Sequence, residues 1–127
     1  MTPERALFRT LFAMMEQFGN VFDELPSPDE KYPFIFIRQS DNENESNSDL
    51  MGTVDFLIDV YGTRYDGAIM DEIKVKINNG FIRLEDAFNY NVRCIRLNMS
   101  DRKENNERQT LNRVIITASF EYTKKER

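Results

Sequence analysis

Gly52-Thr53-Val54-Asp55-Phe56-Leu57-Ile58-Asp59-Val60-Tyr61-Gly62 decides how the rest of the chain is read. Val54, Phe56, Ile58 and Val60 alternate with Thr53, Asp55, Leu57, Asp59 and Tyr61, the period of two that a β-strand imposes on its side chains. One face is core. The other is mostly polar, with Leu57 and Tyr61 left over. Gly62 ends the strand, and the pattern then switches to helical spacing: Ile69, Met70, Ile73 and Ile77 share a face behind Asp66, a suitable N-cap. Asn79-Gly80, the pair that best tolerates positive φ, is expected to close that helix.

Moving towards the amino terminus, Pro33-Phe34-Ile35-Phe36-Ile37-Arg38 is a short β-branched and aromatic run that predicts a strand. Residues 41–49 are wholly polar and hold four acids, Asp41, Glu43, Glu45 and Asp49, with no base, which predicts a loop. Pro26, Pro28 and Pro33 mark a connector, because proline cannot continue a helix. Before it, Leu7, Leu11, Met14, Met15, Phe18 and Phe22 recur at helical spacing. Thr2 suits the N-cap, Pro3 the first helical position and Glu4 the positive helix end. Gly19-Asn20 is the first place this helix could stop.

Towards the carboxyl terminus, residues 81–90 are ambiguous, since Phe81, Leu84 and Phe88 have helical spacing while 81–84 could equally be extended. A hairpin follows. Arg93, Ile95, Leu97 and Met99 form one alternating set, and Val114, Ile116, Ala118, Phe120 and Tyr122 form another. Residues 101–109 are the polar tip between them, with Asp101, Arg102, Lys103, Glu104, Glu107 and Arg108 available to a partner. The expected order is α-β-β-α-β-β: an α+β fold, one domain over 1–127, with two helices on one face of a mostly antiparallel four-stranded sheet.

Composition sets limits on function. The 127 residues carry 17 basic and 22 acidic side chains, a net charge of −5, one cysteine, no histidine and no tryptophan. The missing histidine removes the commonest general base and zinc ligand. Cys94 alone cannot form an internal disulfide and sits in an expected strand, so a buried structural thiol is its simplest reading. No basic stripe suits phosphates, which argues against nucleic-acid gripping. Glu4 and Glu16 disqualify the first residues as a secretory signal, and no run approaches the ~18 apolar residues of a membrane helix.

Candidate chemical motifs fail one by one. Asp41-Asn42-Glu43-Asn44-Glu45 begins like a calcium loop, but Ser46 stands where the turn glycine belongs and Gly52 where the bidentate glutamate belongs. Asp55 and Asp59 share a strand face at a spacing of about 13 Å, too far for one site, so a polar sheet face or subunit contact is the better reading. The five glycines match neither a phosphate loop nor a dinucleotide fingerprint. The sequons at Asn44 and Asn98 are expected to be accidental. Phe8, Phe12 and Met15 widen the apolar surface of the first helix, and core packing is favoured there over a partner surface. No catalytic, cofactor or metal residues are assigned.

The strand 52–62 and the helix after it resemble the middle of tail terminator and tail completion proteins of long-tailed bacteriophages. Pro33-Phe34-Ile35-Phe36 and Arg113-Val114-Ile115-Ile116-Thr117-Ala118-Ser119-Phe120-Glu121-Tyr122 look like the first and last strands of that plan. Tyr61 stands where the strand-end aromatic is often tryptophan, and residues 81–90 have no counterpart. The resemblance implies a non-enzymatic virion tail protein, made in the host cytoplasm. It would form a ring, usually a hexamer, that caps the tail tube, joins the head connector and leaves a passage for DNA. The partners implied are other copies of the chain, the tail tube protein and the head connector protein. The acidic residues Asp41, Glu43, Glu45 and Asp49 would then repel DNA from a lumen. The alternative is a small cytosolic protein-binding module or regulator acting as a monomer or dimer.

Overall fold

The computed structural model describes residues 1–27, 29–39, 48–105 and 109–126. The elements run α1 (Pro3–Glu16), β1 (Asn20–Phe22), β2 (Phe34–Gln39), β3 (Met51–Thr63), α2 (Gly67–Arg83), β4 (Asp86–Ala87), β5 (Tyr90–Asn105) and β6 (Thr110–Lys124). All strands belong to one sheet in the order β1-β2-β3-β6-β5-β4. β1 is parallel to β2, and the other neighbours are antiparallel.

The expected four-stranded sheet is therefore corrected to a six-stranded mixed one. Both added strands are short edges, three and two residues long. β1 starts at Asn20, where a helix stop was expected, and Val21 pairs with Ile35. β4 is two residues long and pairs with the start of β5 inside the segment that periodicity left ambiguous. Strands this short form because a neighbouring strand offers its hydrogen bonds, which no period in their own sequence announces.

The stretch 52–62 behaves as its alternation dictates. Val54, Phe56, Ile58 and Val60 are buried, in a cluster with Ile35 and Ile37 of β2 and Val114, Ile116, Ala118, Phe120 and Tyr122 of β6. Both helices bury their stripes in that cluster: Ala6, Leu7, Leu11 and Met15 from α1, and Met70, Ile73, Ile77 and Phe81 from α2. Thr2 caps α1 by accepting from the Arg5 amide at 3.1 Å.

Two helix details differ from expectation. α2 does not close at Asn79-Gly80 but continues to Arg83, because Phe81 extends the buried stripe and meets Phe120 edge-on at 5.5 Å between ring centres. Burying a phenylalanine stabilises by about 1.5–3 kcal/mol, more than the ~1 kcal/mol that an interior glycine costs. Asp66 stands at the N-cap position without capping. Its carboxylate turns back to accept from the Thr63 amide at 2.7 Å and hydroxyl at 2.9 Å.

β5 carries the third correction. A bulge between Cys94 and Arg96 leaves Ile95 without a pairing partner, so the alternating set 93-95-97-99 is broken in phase. Val92 and Cys94 face the core before the bulge, Leu97 and Met99 after it, and Ile95 is exposed. The arms also run further than a polar tip at 101 allowed, since pairing continues to Asn105 opposite Thr110. Polar residues form strand there because the long β6 supplies the complementary backbone.

Candidate functional site

The sheet face turned away from the helices is built by the alternate residues of the same strands. Phe34, Phe36 and Arg38 of β2 stand opposite Tyr61, Asp59 and Leu57 of β3, and Tyr61 stands opposite Arg113 of β6. Asp59 is 1% exposed, although it lies on this open face. Arg113 covers it: its Nε donates to Asp59 Oδ1 at 2.9 Å, and its Nη2 lies 2.9 Å from the same oxygen. Nη1 of Arg113 donates to Glu104 of β5, and the guanidinium sits 5.3 Å from the centre of the Tyr61 ring. Burial works against the charge of Arg113, but hydrogen bonds to Glu104 and Asp59 outweigh it and raise the arginine pKa. Burial also raises the pKa of Tyr61.

The second oxygen of Asp59 is less well served. Oδ2 has no hydrogen bond among the described residues, and Arg38 Nη2 approaches it only to 3.7 Å while its Cζ lies 5.4 Å from the Phe36 ring centre. Beyond it, Tyr61 stacks on Phe34 at 5.2 Å and Phe34 on Tyr32 at 5.4 Å. One arginine thus ties β3, β6 and β5 together beside an aromatic stack at the sheet margin.

The sequence-predicted residues fall in different places. Asp41, Glu43 and Glu45 lie outside the described residues, as do Glu107 and Arg108. Asp49 is exposed but engaged: Tyr90 donates to one oxygen at 2.7 Å and Lys124 Nζ to the other at 2.8 Å. These bonds hold its pKa below the usual value, the Lys124 bond contributing most. Burial, then the bond to Asp49, pushes Tyr90 up to about 12. Asp49 is thus an anchor for the start of β3. Asp101, Arg102, Lys103 and Glu104 lie on β5 and not in a tip loop. Asp101 pairs with Lys74 of α2 at 3.1 Å and Glu104 with Arg113. Asp101, Arg102 and Lys103 help line a hollow of about 290 Å³ between the α2 amino terminus and the hairpin.

Asp55 and Asp59 share the helix-free face, yet Asp59 is committed to arginines. Among the described residues no group of three acidic or thiol side chains could hold a metal ion. Cys94 is half-buried, hydrogen-bonded to the Arg96 carbonyl at 3.4 Å, and burial raises its pKa, which keeps it a thiol. The Arg113–Asp59 pair was not anticipated. Its available signal was the one arginine of the last alternating strand, near that strand's start.

No protein-family model matches the chain, and no curated protein matches it in sequence. Among solved structures, a chain in the virion of a native gene transfer agent particle shares the fold at a TM-score of 0.58 and 12% identity. That match covers 96% of this chain and 95% of the other. A crystal structure from Akkermansia muciniphila matches at 12% identity and a TM-score of 0.43, over 95% of this chain and 50% of that one. No helix among the described residues is long and apolar enough to cross a membrane.

Proposed function

We propose that this chain is a non-enzymatic structural protein of a phage-like virion, of the tail-terminator type. It assembles as a ring on the end of the tail tube and joins the tube to the head connector. The observation that carries this reading is the fold shared over nearly the whole of both chains with a component of a gene transfer agent virion. The sheet suits the task. On its edge away from β6, β5 pairs with β4 only at Tyr90 and Asn91, and the rest of that edge has no neighbouring strand among the described residues; an open edge is a template for heterologous contacts that close into rings. A hexamer, the tail tube and connector as partners, and passage of DNA through the centre complete the proposal.

The test is electron microscopy of particles assembled with and without this chain. Loss of the protein is expected to leave tails of irregular length that fail to join heads, and restoring it in trans to recover normal particles. Tails of uniform length joined to heads in its absence would refute the reading.

A further inference from the structure

The buried stripe of α1 has a counterpart on the other side of the helix. Arg5, Phe8, Arg9, Phe12, Ala13 and Glu16 recur at three- and four-residue spacing and, with Phe88, line a hollow of about 340 Å³. Phe8 and Phe12 lie 5.9 Å apart and are only half-buried. Phe88 is 50% exposed and has φ of 55°, in the left-handed region that a bulky aromatic rarely adopts. Such strain persists where the surrounding fold imposes it, commonly at a binding surface. Here it stands a phenyl ring beside α1, with the Arg9 guanidinium 5.4 Å from its centre.

The charges on this stripe are unanswered. Arg5 and Arg9 are one turn apart and repel each other. Among the described residues neither has an ion-pair partner, and nor does Glu16. Asp23, also on the wall of the hollow, pairs with neither arginine. The layout is complementary to itself when reversed. Two α1 helices packed antiparallel about a two-fold axis, with position numbers summing to 21, place Arg5 against Glu16, Phe8 against Ala13 and Arg9 against Phe12. Opposite charges meet at both ends, an aromatic ring meets the smallest residue, and a guanidinium meets a ring face. A parallel arrangement would set Arg5 on Arg5 and Glu16 on Glu16.

We propose that the outer face of α1 docks a second copy of this chain, antiparallel and two-fold symmetric, with Arg5 of each copy on Glu16 of the other and Phe8 and Phe12 packed between. This contact does not rest on the virion reading. One helix face covers less than the ~800 Å² per partner of a standard interface, so the dimer is reversible and of micromolar affinity.

Sedimentation of the full chain between about 1 µM and about 1 mM should reveal a monomer–dimer equilibrium. Arg5→Glu and Glu16→Arg, both at exposed positions, are each expected to weaken it by about tenfold or more, because each sets like charges together twice. An equimolar mixture of the two variants should recover dimer, seen as the mixed species by native mass spectrometry. Circular dichroism and thermal melting of both variants check that they fold. A chain monomeric throughout, or a mixture no tighter than the single variants, overturns the proposal. So does an oligomer indifferent to both reversals, which would leave the ring reading standing. A charge-dependent dimer from a chain whose loss leaves tails normal would refute the ring and leave the dimer.

Discussion

Replacing Arg113 by methionine keeps an apolar stem on β6 and removes the fork that covers Asp59. The carboxylate stays where β3 puts it, 1% exposed, and loses both of its 2.9 Å contacts. Arg38 cannot take over, since it is half-exposed and 3.7 Å from the other oxygen. Removing one partner of a buried ion pair costs about 3–5 kcal/mol. The nearby Arg38 places the loss at the lower end, and the half-exposed Glu104 adds less than ~1 kcal/mol. A destabilisation of about 3 kcal/mol follows, which at an m-value of about 1.5 kcal/mol/M lowers the urea midpoint by about 2 M. The companion variant Asp59→Leu/Arg113→Met removes both charges, and apolar replacement of a whole buried pair is close to neutral. The double variant should therefore regain most of the lost stability, with a coupling of about 2 kcal/mol between the sites. Urea unfolding followed by circular dichroism measures Arg113→Met, Asp59→Leu and the double variant, the three that close the cycle. An Arg113→Met loss under ~1 kcal/mol, or a double variant less stable than the single, would show that Asp59 does not depend on its arginine.

Gly62→Ala is expected to destabilise by about 1–3 kcal/mol, because the new methyl meets Met70 Sδ inside contact distance and Asp66 Cβ at 3.0 Å; Gly67→Ala, with nothing within 4 Å, should be neutral or stabilising by about 0.5 kcal/mol in the same thermal melts. Tyr90, raised from 10.0 to about 12 by burial and Asp49, contributes stability that is full below pH 10 and lost as pH rises towards 12, since the unfolded chain releases that proton first. Tyr90→Phe should flatten that alkaline slope, and an unchanged slope in the variant would refute the assignment. Phe88→Asn should stabilise the monomer by about 1 kcal/mol, because asparagine tolerates the left-handed conformation, while weakening self-association in sedimentation; a less stable monomer would show that φ at this position stores no strain.

How far the fold is legible depends on whether a residue's neighbours are set by its own period. The alternation of 52–62 and 114–122 is enforced by two faces of contrasting polarity, so strand and core face follow from it. Thr2, Pro3 and the 7-11-15 stripe do the same for α1. Three features are not set by the local period of the residues that form them. β1 and β4 exist through pairing with β2 and β5. Gly80 stays helical because Phe81 finds Phe120. The bulge at Ile95 changes which residues of β5 face inward, and neither arm of the hairpin contains a signal for it. The candidate site follows the same division: Asp59 was legible as a residue of the polar face, whereas its burial required Arg113 to arrive from a strand 54 positions away.

The two proposed association surfaces differ in symmetry, which decides how they would act together. A ring is closed by heterologous contacts, in which one surface of a subunit meets a different surface of the next. The open length of β5 is free to make such a contact. The α1 stripe is isologous, pairing with its own copy, and a two-fold contact of this kind cannot join neighbours around a single cyclic ring. It holds two subunits in the unassembled pool, or two rings face to face. In the first case the dimer competes with assembly, and the Arg5→Glu chain, unable to dimerise, should form rings at lower total concentration than the parent. In the second case the same variant should form single rings where the parent forms double ones. Native mass spectrometry of ring-forming preparations separates the outcomes, and an Arg5→Glu chain with ring size and threshold both unchanged would remove α1 from assembly altogether.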